Sequence, residues 1–309
     1  MADPLAPAPA WFRAARAVIR RLPAGRFRAF NLLARAPLPP FADRLGADVG
    51  RLRYRCDLRD LVAREMCLTG GYAPLEAALV RAALPEGGTF VDVGANIGYF
   101  TLFAAARVGA AGRVVALEPH PQLAATLRQN VEMNALSTVR VMEVAAADAA
   151  GTAVLAGFSE DGGNWGVSSI VHGSAEGVPS FEVRCARLDD LLDEAGIREV
   201  DLVKVDVEGA EPRVLAGMRD GLRAGRYRRV MVELHPWEYA DFAREFGEMA
   251  EEMRAAGYRG WLVNESVEAA RRAYYGAPAA PSLRPLDPAS VTGTWPHVLW
   301  TLPGREIGA

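Results

Sequence analysis

The chain has 309 residues, half of them hydrophobic and 24% charged, with a net charge of −3. These figures suit one large α/β domain with extensions or two small domains, and give no general reason to expect nucleic acid as a partner. Cys56, Cys67 and Cys185 are odd in number and lack metal or redox spacing, so they read as reduced thiols of a cytoplasmic protein.

No apolar run approaches the roughly 18 residues that a membrane span needs. The opening MADPLAPAPAW lacks the charged region and apolar core of a secretory signal. Lys204 is the only lysine. In a chain rich in Arg, Ala, Gly and Pro, as a GC-rich genome produces, a retained lysine hints that arginine would not serve there.

The first elements stand apart. Trp11, Phe12, Ala15, Val18, Ile19 and Leu22 recur at helical spacing, and Arg13, Arg16, Arg20 and Arg21 avoid that stripe. A second short segment carries Phe27, Phe30 and Leu33 with Arg26, Arg28 and Arg35, and Pro23 and APLPP (36–40) punctuate the two. The pattern predicts helices packed on the protein's own core or on a sister subunit of a homo-oligomer. A basic anchor in peripheral contact with a membrane surface or acidic partner is the alternative. Residues 1–57 are therefore read as a helical extension and 58–309 as the main domain.

From residue 72 the chain alternates. A helix is predicted over Tyr72–Leu84, a strand over Thr89–Val93 and a helix to about Val108. A strand (113–118), a helix (Pro121 to about Asn134) and a strand (139–145) follow. Residues 151–187, Gly-rich with short alternating runs, predict a small β insertion with a loop over the acceptor. Then come the helix RLDDLLDEAG, a buried strand (200–207), the helix PRVLAGMRDGL, a strand (228–235) and a long amphipathic helix (238–256). Two final strands (258–264 and 297–303) flank a Pro-rich surface excursion (276–290). This rhythm makes a doubly wound, mostly parallel α/β sheet.

The stretch FVDVGANIGYFT carries the first chemical signal. A pyrophosphate site would read G-x-G-x-x-G, so that amides at a helix start can hold phosphate. Here the pattern is Asp92-x-Gly94-x-Asn96-x-Gly98, and an acid before the first glycine suits a cation better. S-adenosyl-L-methionine, with a sulfonium, an ammonium and no phosphate, fits. Glu118, ending the next strand, is placed to accept both ribose hydroxyls. Asp148, after the third strand, is a candidate for the adenine amino group, or an ordinary turn acid.

GTFVDVGANIGYFTLFAA, GRVVALEPHPQLAATLRQNVEMN and RLDDLL…VDLVKVDVEGAEPRVLAGM together resemble FkbM-type methyltransferases, from about Leu58 to Pro236. The resemblance implies a class I methyltransferase fold with a Rossmann-like seven-stranded sheet. It also implies methyl transfer from S-adenosylmethionine to a hydroxyl, usually on a sugar or secondary metabolite. The cofactor residues it implies fall on Asp92, Gly94, Asn96, Gly98 and Glu118.

Ligands of an open α/β sheet bind beyond the carboxyl ends of its strands. VKVDVEGAE and VELHP bring Lys204, Asp206, Glu208 and Glu211, and Glu233 and His235, to that edge. Alternation sets Lys204, Asp206 and Glu208 on one side and Glu233 with His235 on one side. His235 is the first candidate base and Asp206 the second. Lys204 is expected to pair with Asp206 or Glu233, or to lower the acceptor's pKa. A divalent ion on Asp206, Glu233 and His235 is the alternative, disfavoured because no ligand spacing is sharp and Lys204 would repel a cation. In GGNWGVSSI, Trp165, Ser168 and Ser169 are candidate acceptor contacts. Rival readings are an N-methyltransferase with the same cofactor site, a nonenzymatic cofactor-binding scaffold and, last, an NAD oxidoreductase.

Overall fold

The computed structural model describes residues 5–46, 50–156, 180–264, 272–274, 279, 282–293 and 295–307. The chain opens with α1 (Ala10–Ile19), α2 (Arg26–Leu33), the hairpin β1 (Phe41–Arg44) and β2 (Arg53–Cys56), then α3 (Leu61–Thr69) and α4 (Pro74–Ala83). The alternating part begins with β3 (Thr89–Val93), α5 (Tyr99–Val108), β4 (Arg113–Leu117), α6 (Pro121–Met133) and β5 (Val139–Met142). A small sheet holds β6 (Ala145–Ala146), β7 (Gly151–Ala156) and β8 (Ser180–Ala186). Next come α7 (Leu188–Glu194), β9 (Leu202–Val205), α8 (Glu211–Ala216), α9 (Arg219–Arg223), β10 (Arg229–Glu233) and α10 (Phe242–Ala255). Three strands finish the chain: β11 (Arg259–Asn264), β12 (Ser282–Pro285) and β13 (His297–Thr301).

The main sheet has the order β12-β11-β13-β10-β9-β3-β4-β5. From β10 through β5 neighbouring strands are parallel, and β13, β11 and β12 extend the sheet antiparallel. The sheet is doubly wound. Its eighth strand, β12, comes from the segment expected to be only a surface excursion. The expected strand at 139–145 divides: β5 stays in the main sheet, and β6 leaves to pair with β8.

Strand alternation builds one core on each face. Phe90, Val114, Leu202, Met231 and Leu299 point to one side, where Phe12, Phe30, Phe41, Tyr54, Met66 and Leu102 pack on them. Val91, Val115, Val203, Val230 and Trp300 point to the other, against Leu191, Val214, Phe246 and Met253. Burial on both faces explains why these strands read as continuous apolar runs.

The N-terminal segment adds a hairpin to its two helices and shares the first of these cores. The expected stripe of α1 is only partly inside: Phe12 is fully buried, whereas Trp11 and Val18 are exposed. Two of the arginines turn inward instead. Arg16 pairs with Asp43 and donates to the Cys67 carbonyl at 3.2 Å; Arg20 donates to the Cys67 carbonyl at 2.7 Å and to that of Leu68. They satisfy carbonyls that the end of α3 leaves without helical partners. Asn130 of α6 and Asn134, which follows its end, accept from the backbone N–H groups of Arg55 and Arg53, at 2.6 and 2.7 Å, locking β2 to α6. No helix among the described residues is long and apolar enough to cross a membrane.

If α1 is part of the core, Phe12→Ala should cost about 3–5 kcal/mol in urea unfolding. Trp11→Ala, one residue away on the exposed side, should change stability by less than about 0.5 kcal/mol. Equal, small effects of both would detach α1 from the fold.

Candidate active site

Chain order reverses at β3, which has β4 on one side and β9 on the other. The crevice outside such a switch point is where an open parallel sheet takes its ligand. A cavity of about 1040 Å³ occupies it, lined among others by Gly94, Asn96, Glu118, Asp206, Glu208 and Glu233.

The turn after β3 is built by backbone constraint. Gly94 has φ 82°, and a Cβ there would lie 1.8 Å from the backbone oxygen of Asp206. The ends of β3 and β9 can approach only over a glycine. Gly98 has φ 93°, and a Cβ there would lie 2.2 Å from Leu127 Cδ1. Asn96, between them, is left-handed at φ 53°, and its Oδ1 accepts from the Ile97 N–H at 2.6 Å. Such a local bond is what lets asparagine occupy that region.

Glu118 is fixed by the same turn. Its Oε2 accepts from the Asn96 N–H at 2.7 Å and its Oε1 from the His120 N–H at 2.8 Å. Each oxygen keeps a lone pair for a further donor. Burial pushes the carboxyl up to about 7, against the two backbone N–H groups that favour its ionised form.

Asp92 lies behind the turn and outside the cavity lining. Its Oδ2 accepts from the Thr101 hydroxyl at 2.7 Å, while Oδ1 is buried with no hydrogen-bond partner among the described residues. Burial raises its pKa, opposed by Lys204 and Thr101. Asp148 is directed elsewhere: it pairs with Arg213 at 2.9 Å, which holds its carboxyl below the usual value, and it does not line the cavity. An adenine contact would need that pair to open. Trp165, Ser168 and Ser169 lie outside the described residues.

On the other wall β9 stops at Val205, and Lys204 Nζ reaches Asp206 Oδ2 at 2.7 Å. Burial would lower the Lys204 pKa, but Asp206, Asp92 and Glu233 outweigh it and hold the ammonium firmly charged. Asp206 is correspondingly lowered: Lys204 overcomes the upward push of burial. Glu208 sits at φ 49°, in the left-handed region that costs a side chain of this kind of order 1–3 kcal/mol.

His235, 1% exposed, follows β10. Its Nδ1 lies 2.7 Å from Glu211 Oε1. Glu211 also accepts from the Tyr239 hydroxyl at 2.8 Å and the Gly209 N–H at 3.1 Å. That network assigns Nδ1 as the protonated nitrogen and turns Nε2 toward Glu208 Oε2 (3.3 Å) and Asp206 Oδ1 (3.9 Å). Burial would lower the His235 pKa, but the bond to Glu211 and the charges of Glu211, Glu208 and Asp206 raise it to about 9. Burial lifts Glu208 to about 7, with His235 opposing.

The FkbM methyltransferase domain matches residues 92–259, more than half of the chain. The chain belongs to the FkbM methyltransferase family. It is 33% identical over 186 residues to methyltransferase sdnD of Sordaria araneosa, covering 51% of this chain and 69% of that protein. It is 32% identical over 201 residues to the 31-O-demethyl-FK506 methyltransferase FkbM of Streptomyces tacrolimicus, covering 57% and 74%. The crystal structure of methyltransferase FkbM from Methylobacillus flagellatus aligns with a TM-score of 0.42 and 16% identity, over 89% of this chain and 58% of that one.

Within this FkbM methyltransferase, several cavity residues fall beyond the motifs. His297 opens β13 opposite Glu233, with Nε2 3.1 Å from Glu233 Oε2. Glu233 therefore serves His297 rather than Lys204. Trp237 and Trp295, both about half exposed, meet edge to face at 5.6 Å and line the same cavity. Their only trace in the sequence is an aromatic beside each proline–histidine pair, in HPW and TWPH.

Gly94→Ala should collapse the site from its backbone outward. The added methyl meets a carbonyl oxygen, not a flexible side chain, so a loss of several kcal/mol or an insoluble protein is expected. A soluble variant with wild-type melting temperature would show that the β3 and β9 ends separate freely.

Proposed function

We propose that this methyltransferase uses S-adenosyl-L-methionine and transfers the methyl group to a hydroxyl of a small acceptor, a sugar or natural product. The observation that carries the reading is Glu118: a buried carboxylate at the switch point, held by two backbone N–H groups and facing the cavity. It suits a ribose diol. Gly94 and Asn96 would border the methionine portion, and Asp92, Asp206 and Glu233 give the region a negative potential that suits a cation. When bound, this cofactor supplies a methyl group on a positively charged sulfur, open to in-line attack.

The chain's own residues have three tasks: to align the acceptor oxygen, to receive its proton and to keep water away. Alignment can supply much of the rate. Trp237 and Trp295 are suited to pack on an apolar or sugar face of the acceptor. The proton passes to the carboxylate of Asp206 or Glu208; Lys204 fixes Asp206, and Glu211 fixes the His235 ring, which its acidic neighbours keep charged, against both. A general base is worth typically about 10²–10⁴-fold. A hydroxyl acceptor agrees with the printed name of the Streptomyces tacrolimicus relative, a 31-O-demethyl-FK506 methyltransferase.

Glu118→Ala should weaken S-adenosylmethionine binding by roughly ten- to a hundredfold in calorimetric titration, because charged hydrogen bonds contribute about 1.5–3 kcal/mol. Unchanged affinity would remove the ribose assignment, and binding of NAD but not the sulfonium cofactor would overturn the reading. The same contact sets a pH dependence. Only ionised Glu118 accepts from both hydroxyls, and its carboxyl titrates near 7. Affinity should therefore fall as pH drops below that value, by up to roughly tenfold per unit, and Glu118→Gln should flatten the profile. His235→Ala should spare cofactor affinity and lower turnover by up to about a hundredfold, because Asp206 and Glu208 lose the ring that positions them; a variant as fast as the parent across pH would refute its role.

A further inference from the structure

We infer that Asp206, Glu208 and His235 form a binding site for a divalent cation of the Mn²⁺ type, positioned by Glu211. One ligand atom from each of the three lies within 4.8 Å of the others. The decisive group is His235. It is 1% exposed, and its Nδ1 is committed to Glu211. Its Nε2 faces two carboxylates, Glu208 Oε2 at 3.3 Å and Asp206 Oδ1 at 3.9 Å, with which the charged ring forms ion pairs. An imidazole nitrogen aimed between two carboxylate oxygens, on a ring fixed by a third carboxylate, is an arrangement that a divalent ion can take over by displacing the ring proton.

The separations are of the right size. Around an octahedral ion with bonds of about 2.1 Å, neighbouring ligand atoms stand about 3 Å apart and opposite ones about 4.2 Å. The two Nε2 distances are 3.3 and 3.9 Å, so the first is close to a neighbouring pair and the second needs a shift of a few tenths of an ångström. A carboxylate on the far nitrogen of a ligand histidine is the usual device for fixing its ring and tautomer, and Glu211 provides it. Two carboxylates with one imidazole suit Mn²⁺, Fe²⁺ or Zn²⁺ better than Ca²⁺.

Lys204 was the sequence's argument against a metal. Its ammonium is bound to Asp206 Oδ2 at 2.7 Å, which leaves Oδ1, the oxygen facing His235, for the ion. Glu208 pairs with no arginine or lysine among the described residues; His235 is its one charged contact. The site stands independently of the methyl-transfer reading. Its use rests on that reading: an ion at the cavity wall would hold the acceptor hydroxyl and make it more acidic.

The full-length protein, stripped with EDTA and desalted, should bind one Mn²⁺ with micromolar affinity, read from loss of the free-ion electron paramagnetic resonance signal. Pulsed resonance should show ¹⁴N coupling from one imidazole. His235→Gln should abolish that coupling and weaken binding at least tenfold, and Glu211→Gln should weaken it about 10–100-fold. Glu143→Gln, on a distant exposed carboxylate, should change nothing. S-adenosylmethionine titrations of the same samples report folding and the cofactor site separately. Cofactor binding without Mn²⁺ binding below millimolar concentration, or Mn²⁺ bound without nitrogen coupling, overturns the metal site. Mn²⁺ bound with nitrogen coupling but no cofactor binding sustains it and sinks the methyl-transfer reading instead. Where a variant fails to fold, the coupling in the parent protein decides.

Discussion

The site is organised around one buried ammonium. Lys204 is 2% exposed, sits beside Asp92 across the β3–β9 pair, lies 4.9 Å from the centre of the Phe100 ring and reaches Asp206 at 2.7 Å. Removing such a charge from water is costly and is tolerated only when partners surround it. Asp92, Asp206 and the aromatic ring meet that condition together, and in doing so fix where the ends of β3 and β9 stand. A guanidinium is larger and planar, and needs several acceptors around its fork. The survival of a single lysine in an arginine-rich chain has its physical reason here.

Around that ammonium, acids outnumber bases. Asp206, Glu208 and Glu211 converge on His235, while Glu233 and Glu76 converge on His297. The mutual repulsion of these carboxylates opposes folding, and Lys204, His235 and His297 are the positive or ionisable partners that face them. Burial raises the Glu208 pKa and would lower that of His235, but the bond to Glu211 and the charges of Glu211, Glu208 and Asp206 raise the latter.

Much of this could be read from the sequence because the relevant signals are local. The strand Thr89–Val93, the glycine turn and Glu118 lie within 30 residues, and period-two burial and turn chemistry act at that range. What escaped depends on long-range pairing. Glu211 and His235 are 24 positions apart and meet only because α8 and the end of β10 pack side by side. His297 reaches Glu233 because β13 inserts antiparallel beside β10, a strand order no local pattern encodes. Arg16 and Arg20 lie off the apolar stripe of α1, yet they turn inward because α3 ends in carbonyls that need donors. Asp148 had the right position in the chain, but a nearer partner in Arg213.

Glu118 also bears on what the pocket turns away. A cell is crowded with adenosine compounds, and some carry phosphate on the 2′- or 3′-oxygen of the ribose. A rigid carboxylate whose two oxygens are already tethered by Asn96 and His120 cannot swing aside for them. Where the bare diol finds two acceptors, a 2′- or 3′-phosphate meets like charge at close range in a partly dry cleft, where repulsion is least screened. The residue that would welcome the cofactor thus also acts as a sieve. It discriminates against a phosphate on the diol itself, not against one on the 5′ carbon.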